Sequence, residues 1–307
     1  MKILVRVPAT TANLGPGFDA LGLALRLWNE AEFIETTNGQ VTVKVRGEGK
    51  DKLPSDASNA VAEAALSVYQ LADRPCPGLQ IKCINRVPLG SGLGSSSAAM
   101  LTGMLGANAL LGNPFSRDEI LKLAIETEGH PDNVAPAMLG GLVASIIHEN
   151  RVVSLRLTLT SRLSPIHVTV VLPDFDFPTK QARALLPNQI DRKDAIHNIS
   201  RAVIVTEAFR VGDMDMLGEA MDDKLHQPYR IPLIPGAKNA IDAMKEAGAS
   251  AVALSGAGPS LIAFLSKAEA GIGESAKRAF AEAGLNSRVY PLKISRRGAE
   301  VKELRVP

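Results

Sequence analysis

The stretch "PLGSGLGSSSAAM" (residues 88–100) decides how the rest of the chain is read. Pro88 and the glycines at 90, 92 and 94 interrupt regular structure, Ser91, Ser95, Ser96 and Ser97 crowd around them, and small apolar residues follow at once. Upstream, "LQIKCINRV" alternates as a strand does. Downstream, the small and apolar residues from Ser95 to Leu111 are spaced for a buried, closely packed helix. A strand, a glycine-rich loop and a helix start form the layout of a phosphate cradle. The first backbone N–H groups of a helix lack intrahelical partners and carry partial positive charge. The glycines allow backbone angles that other residues resist and let the main chain approach an anion. The serine hydroxyls can cap amides, bind phosphate oxygens or ligate magnesium. No Lys precedes the serines, so the loop is not a Walker A sequence. "GSGLGS" also lacks the G-x-G-x-x-G spacing of a dinucleotide fingerprint. On the loop alone, phosphate binding and plain turn-and-cap structure both stay open.

The bulk properties narrow the choice. A length of 307 residues suits two ordinary domains, and 46% hydrophobic with 21% charged residues is enough for a substantial core. The net charge is +2 with no dense Lys/Arg block, so no nucleic-acid partner is expected. The tail "KISRRGAEVKELRV" is mildly basic but interrupted by acids, and reads as a solvated face. Cys76 and Cys83 make no disulfide framework or zinc pattern, which suits a reducing compartment. The start "MKILVRVPATTANLG" lacks a signal-peptide pattern, and the longest apolar run, "AAMLTGMLGANALLG", is too short and broken to span a bilayer. A soluble, cytoplasmic protein without a membrane partner is expected.

Strands are predicted at "KILVRVP", "ALRLWNEAEFIE", "VTVKVRG", "GLVASIIHE", "RVVSLRLTL" and "HVTVVLP". A helix opens at "SNAVAEAALSVYQLADR" with Ser58 as N-cap, and Ser116 with Glu119 forms a capping box for a helix that Gly129 ends. "HPDNVAPAMLGG" reads as irregular because two prolines punctuate it. In the second half, "DRKDAIHNISRAVIVTEAFRVGD" is a long amphipathic helix with apolar residues at 196, 199, 203 and 204. "SAVALS" and "SLIAFLS" form a strand pair joined by "GAGP", and "SRVYPLKIS" is the last strand. Mixed strands with helices grouped between them give an α+β class, with a boundary near residues 160–166.

Four ordered stretches resemble one family. "PLGSGLGSSSA" resembles the ATP loop of the galactokinase, homoserine kinase, mevalonate kinase and phosphomevalonate kinase (GHMP) superfamily. "VPATTANLGPGFDALGLAL" looks like the homoserine kinase version of its first motif, and "ALSGAGPSLIAF" like its third. "EGHPDNVAPAMLGG" is similar to homoserine kinases rather than to their sugar or mevalonate relatives. The resemblance implies a two-domain GHMP kinase fold: a ribosomal-protein-S5-like α+β domain at 1–163 and a ferredoxin-like α+β domain at 164–307. It implies transfer of the ATP γ-phosphoryl group to the side-chain hydroxyl of L-homoserine, a step of threonine biosynthesis, with magnesium. Family members are often homodimers.

The resemblance also implies roles. Pro88, Leu89, Gly90, Ser91, Gly92, Leu93, Gly94, Ser95, Ser96, Ser97 and Ala98 would form the ATP cradle. Ser96 would reach the metal together with Glu126, which is favoured over Glu128 on the match of "ETEG". Homoserine carries a carboxylate and an ammonium, so its site needs opposite charges close together. Arg183 and Arg230 would grip the carboxylate, since a guanidinium can donate two parallel hydrogen bonds. Asp19 would take the ammonium, with Asn13 near the hydroxyl and amine; for both, a local Asx turn is the plainer alternative. His130, Asp132 and Asn133 complete the polar cluster, although His130 also suits a helix C-terminus. The position of the catalytic Asp in mevalonate and galactose relatives is matched by Asn133, which cannot act as a base. A base-free or substrate-assisted transfer is therefore expected, with Asn133, Asn13 and Arg183 as catalytic residues and Asp132 as the alternative base.

Overall fold

The structure is a computed structural model in which residues 1–149, 151–159 and 166–304 are described. "KILVRVPATTA" and "LGLALRLWNEAEFIE" form β1 (Lys2–Ala12) and β2 (Leu21–Glu35), paired antiparallel with a register shift between Pro8 and Ala9. β4 (Leu79–Asn85) adds antiparallel to β2, and β3 (Val41–Gly47) adds parallel to β4. β5 (Leu142–His148) pairs with the start of β2, and β6 (Arg151–Leu157) pairs with β5. Four helices cover one face of this sheet: α1 (Ala60–Leu71), α2 (Ser95–Leu110), α3 (Arg117–Glu128) and α4 (Pro131–Leu139). Val5, Val7, Phe33 and Ile81 from the strands pack with Val68, Leu101, Met104, Ile120 and Val134 from the helices. Each such burial contributes roughly 1.5–3 kcal/mol.

The second sheet runs β10 (Ser287–Lys293), β7 (His167–Pro173), β9 (Leu261–Leu265), β8 (Ala251–Leu254), all antiparallel. Between β7 and β8 lie α5 (Thr179–Ala184), α6 (Arg192–Val211), α7 (Met214–Ala220), α8 (Gln227–Arg230) and α9 (Ala237–Glu246); α10 (Ala270–Glu282) joins β9 to β10. This is the β-α-β-β-α-β ferredoxin-like arrangement. Its side chains alternate between two cores. Val168, Val170, Ala253, Ile262 and Phe264 share a cluster with Leu21, Leu23 and Leu25 of the first sheet and with Val205 and Phe209 of α6. Val171, Val252, Leu254 and Leu261 pack with Met244 of α9 and Ile272 and Phe280 of α10. Coverage of both faces explains why β8 and β9 read as continuous apolar runs. The α+β, two-domain class is the one the sequence implied.

Several local expectations change. The N-cap of α1 is Asn59, whose side chain accepts from Val61 N at 3.0 Å, while Ser58 bonds Asp56. "HPDNVAPAMLGG" is mostly the helix α4 rather than an irregular segment. Pro131 occupies its first position, where a missing N–H costs nothing. Pro136 cannot donate to the Asp132 carbonyl four residues back. That carbonyl instead backs onto Gly22 of β2, where any side chain would collide with it. The tail read as a solvated face contains β11 (Glu300–Leu304), paired antiparallel with β1 from Arg6↔Glu300 to Lys2↔Leu304. The first sheet therefore draws on both ends of the chain, and β10 is not the last strand. The expected division at 163/164 lies outside the described residues. On α6, Ile196, Ile199, Val203 and Ile204 are exposed, because Asn198, Val205, Ala208 and Phe209 form its inward face. Among the described residues no helix is long and apolar enough to cross a membrane.

Candidate active site

The loop from Pro88 to Gly94 links β4 to α2, and Gly94 (φ 68°) is the helix's N-cap with no side chain bonded across it. The opening amides of this 16-residue helix are thus left for another partner. Gly92 (φ 74°) is pressed against the Ser255 carbonyl oxygen, which a side chain there would strike. Ser255 follows β8, and its hydroxyl donates to the Gly92 carbonyl at 2.7 Å. Thr10 N donates to Leu93 O at 3.1 Å, and Asn13 Nδ2 donates to Gly256 O at 2.9 Å. Segments near residues 10, 92 and 255 thereby interlock, so three motifs far apart in sequence make one site.

They enclose a cleft of about 120 Å³ lined by Asn13, Gly90, Ser91, Gly92, Gly94, Ser95, Ser96, Ser97, His130, Asp132, Asn133, Arg183 and Arg230. Leu93 and Ala98 are fully buried and shape the loop from behind, and Pro88 accepts the Ser91 hydroxyl. Leu89 and Gly90 also border a larger adjoining cavity of about 970 Å³.

At one end of the cleft, Arg183 of α5 donates to both carboxylate oxygens of Asp19, at 3.0 and 2.7 Å. The hydrogen bonds to Asp19 raise the Arg183 pKa further, against the cost of its burial. Asp19 N donates to Asn13 Oδ1 at 3.0 Å across six residues, too far for an Asx turn, so the Asn13 side chain braces the turn's backbone while lining the cleft. Arg230 is 1% exposed. Burial, then the charge of Arg183, pushes its pKa down to about 10, so it remains a cation at neutral pH. The two guanidinium groups flank the Phe18 ring, at 5.7 and 5.4 Å from its centroid.

At the start of α4, His130 Nδ1 lies 2.8 Å from Asp132 Oδ1. Burial disfavours the charged ring, but the hydrogen bond and charge of Asp132, helped by Glu128, outweigh it and raise the His130 pKa. Thr10 donates to Asn133 Oδ1 at 2.7 Å, which fixes that amide at the mouth of the cradle.

Glu126 does not reach the cleft. Its side chain is 55% exposed and pairs with Lys122 at 3.6 Å, one turn back on the solvent face of α3. Glu128, at the end of the helix, lines the cleft and accepts from Ser97 Oγ at 3.1 Å. A two-residue step turns a helical side chain to the other face. The hydroxyls of Ser95, Ser96 and Ser97 and the Glu128 carboxylate are the oxygen donors on this side of the cleft that could hold a metal. Among the described residues no group of three or more His, Cys, Asp or Glu could hold a metal unaided. That donor set fits magnesium, which takes few protein ligands and completes its shell with phosphate and water oxygens.

Sequence reasoning missed Thr10, Thr179 and His226 beside or within the site. Thr10 lies in "PATTANLG", and its pairing with Asn133 was invisible at a separation of 123 residues. Thr179 lines the cleft from the first position of α5.

Residues 59–141 match the family described as GHMP kinases N terminal domain, and residues 205–283 match GHMP kinases C terminal. A homoserine kinase of Moorella thermoacetica is 45% identical over 97% of this chain and 99% of its own. One from Carboxydothermus hydrogenoformans is 39% identical over 97% of this chain and 96% of its own. The crystal structure of homoserine kinase from Cytophaga hutchinsonii superposes with a TM-score of 0.86, covering 98% of this chain and 97% of that one at 31% identity. With these matches running the length of the chain, and the three glycine-containing motifs interlocked as described, the chain belongs to the homoserine kinases of the GHMP kinase superfamily.

Proposed function

We propose that the chain transfers the γ-phosphoryl group of ATP to the side-chain hydroxyl of L-homoserine, releasing O-phospho-L-homoserine and ADP as a step of threonine biosynthesis. The observation that carries the reading is the opposition, within one cleft, of an uncapped glycine-loop helix and the Arg183 and Arg230 guanidinium groups, with Asp19 held against Arg183 at the cleft's end. An anion cradle beside mixed charges suits a phosphate chain on one side and a zwitterion on the other.

The loop amides and serines 95–97 bind and orient the phosphates. Asp19 takes the ammonium, and Arg183 and Arg230 take the carboxylate. Asn13 and Asn133 orient the hydroxyl toward the γ-phosphorus. The hydroxyl oxygen forms the new P–O bond as the bond to ADP breaks. Asn133 cannot accept a proton, and the Asp132 carboxylate is turned to His130 through its Oδ1. The hydroxyl proton therefore goes to a γ-phosphate oxygen, and positioning with charge stabilisation carries the rate. Ser96 and Glu128 would hold magnesium, which supplies neutralisation of phosphate charge when bound.

ADP release with Mg·ATP and a panel of L-homoserine, L-threonine, L-serine, shikimate, mevalonate and galactose tests the reading. Turnover confined chiefly to L-homoserine supports it. Turnover chiefly with another alcohol discards the charge-cluster assignments, and ATP binding without turnover on any of them favours a ligand sensor that keeps the fold. A homodimer is supported by the exposed Ile196, Ile199 and Val203 of α6, and sizing in solution against the 32.5 kDa chain mass checks it. A cytoplasmic location and a division near residues 163/164 belong to the same reading, with β11 (Glu300–Leu304) returning to the first domain's sheet.

A further inference from the structure

His226 is fully buried at the N-terminal end of α8, and both of its ring nitrogens are committed. Nε2 lies 2.9 Å from the Gly15 carbonyl oxygen, which can only accept, so Nε2 carries the hydrogen. Nδ1 lies 3.2 Å from Arg230 NH1, which can only donate, so Nδ1 presents its lone pair. The two contacts together require one neutral tautomer. The ring also stacks on Phe18 at 5.3 Å, the ring flanked by the Arg183 and Arg230 guanidinium groups.

The surroundings fix His226 in turn. Asp223 accepts from the backbone N–H of His226 at 3.0 Å and of Gln227 at 2.6 Å. Its other oxygen accepts from Asn198 Nδ2 at 2.7 Å, and the same amide nitrogen donates to Pro16 O at 3.1 Å. The turn that carries Asn13 and Asp19 is thus tied to the second domain at Gly15 by His226 and at Pro16 by Asn198. Arg230 receives its other support from the Ala182 carbonyl, which its Nε meets at 3.2 Å.

We propose that His226 is a positioning residue for amino-acid recognition, bridging the Gly15–Phe18 turn to Arg230 so that the ammonium-binding and carboxylate-binding groups keep one fixed separation. The inference rests on the reading that Asp19 and Arg230 receive the two ends of the substrate's zwitterion. A lost bridge loosens both binding groups at once and leaves the glycine loop, which His226 does not touch, in place.

Steady-state kinetics on His226→Leu and His226→Gln tests it. Leu removes both hydrogen bonds, while the Gln amide offers one donor and one acceptor and cannot be protonated. His226→Leu is expected to raise the KM for L-homoserine about tenfold or more, with the KM for ATP within about twofold, and His226→Gln to recover most of the loss. If His226→Leu does not fold, His226→Phe replaces it, since it keeps the stacking on Phe18 and loses the same hydrogen bonds. Equal increases in both KM values, or no difference between the Leu and Gln variants, would overturn the proposal. A double-mutant cycle with Arg230→Met separates it from the underlying reading. If the His226→Leu effect largely disappears in the Arg230→Met background, His226 acts through Arg230 as proposed. If Arg230→Met raises the homoserine KM but the His226→Leu effect persists undiminished beside it, the bridge is wrong and the carboxylate role of Arg230 stands. If Arg230→Met itself leaves that KM unchanged, both fall together.

Discussion

Arg183 and Asp19, 164 positions apart in sequence, hold each other through two parallel hydrogen bonds of 3.0 and 2.7 Å at the edge of the cleft. Each is the charge complement of one end of an amino acid. On the proposed reading, a zwitterion entering between them would exchange one ion pair for two, and until then neither charge is left unanswered. Replacing Arg183 by Met removes the carboxylate partner and frees Asp19. A hydrogen bond to a charged group contributes about 1.5–3 kcal/mol, so the homoserine KM should rise roughly 10- to 150-fold. The KM for ATP should stay within about threefold, because the loop amides are untouched. Initial-rate kinetics with each substrate varied separately checks this; a change confined to ATP would remove Arg183 from the amino-acid subsite.

Glu128 and Glu126 stand two residues apart on one helix but face different surroundings, which makes a paired comparison informative. Glu128→Gln keeps the shape of the side chain and removes its charge. Magnesium prefers charged oxygen ligands, so the variant should need a higher magnesium concentration for half-maximal turnover and lose about 10²–10³ in kcat. Glu126→Gln should lie within about twofold of the parent, as expected when a surface pair worth about 0–1 kcal/mol is removed. A magnesium titration of turnover distinguishes the two. The reverse order would return the metal role to Glu126.

The proposed transfer without a protein base can be tested at neighbouring positions. Asn133→Ala removes the amide that Thr10 holds and should lower kcat by about 10–100-fold through lost orientation. Asp132→Asn retains the size and hydrogen bonding of the side chain but cannot take a proton. A general base is worth about 10²–10⁴ in rate, so a loss within about tenfold would exclude that role for Asp132. A full loss from Asp132→Asn, with cooperative urea unfolding intact, would assign it the base.

What was legible in the sequence was local. The alternation in "KILVRVP", the apolar run "SLIAFLS", the Ser116–Glu119 capping box and the glycine loop are set by nearest neighbours, and all formed as read. The failures share a cause in distant partners. β11 exists because β1 offers it an edge, which the charges in "AEVKELRV" do not reveal. α4 tolerates Pro136 because Gly22, 114 positions earlier, leaves room for the Asp132 carbonyl. At the site, residue type and motif picked out Asn13, Arg183 and Arg230 on the cleft and Asp19 bonded to two of them, but helical phase separated Glu126 from Glu128. Thr10 and His226 act on other residues, so no pattern of their own marked them.

His130 provides the pH dependence. Its pKa is raised above the ordinary 6.5: burial works against the charge, and the Asp132 hydrogen bond and carboxylate, with Glu128, overcome it. A histidine with a raised pKa in the folded state binds its proton more tightly there than in the unfolded chain. Its stabilising contribution is therefore complete below the unfolded value and is lost as pH rises through the folded one. His130→Asn keeps a hydrogen-bond donor for Asp132 but cannot titrate. The stability difference between the parent and His130→Asn should thus be largest on the acid side of about pH 6.5 and shrink as pH rises above it. Urea unfolding midpoints of both proteins across that range measure it. A difference that grows with pH would mean that His130 is neutral in the folded protein and that Asp132 is held by some other group. Because the same ring lines the cleft, the homoserine KM of the parent should be tracked over the same pH range; a change in KM that parallels the loss of stability would tie the protonated ring to substrate binding as well as to folding.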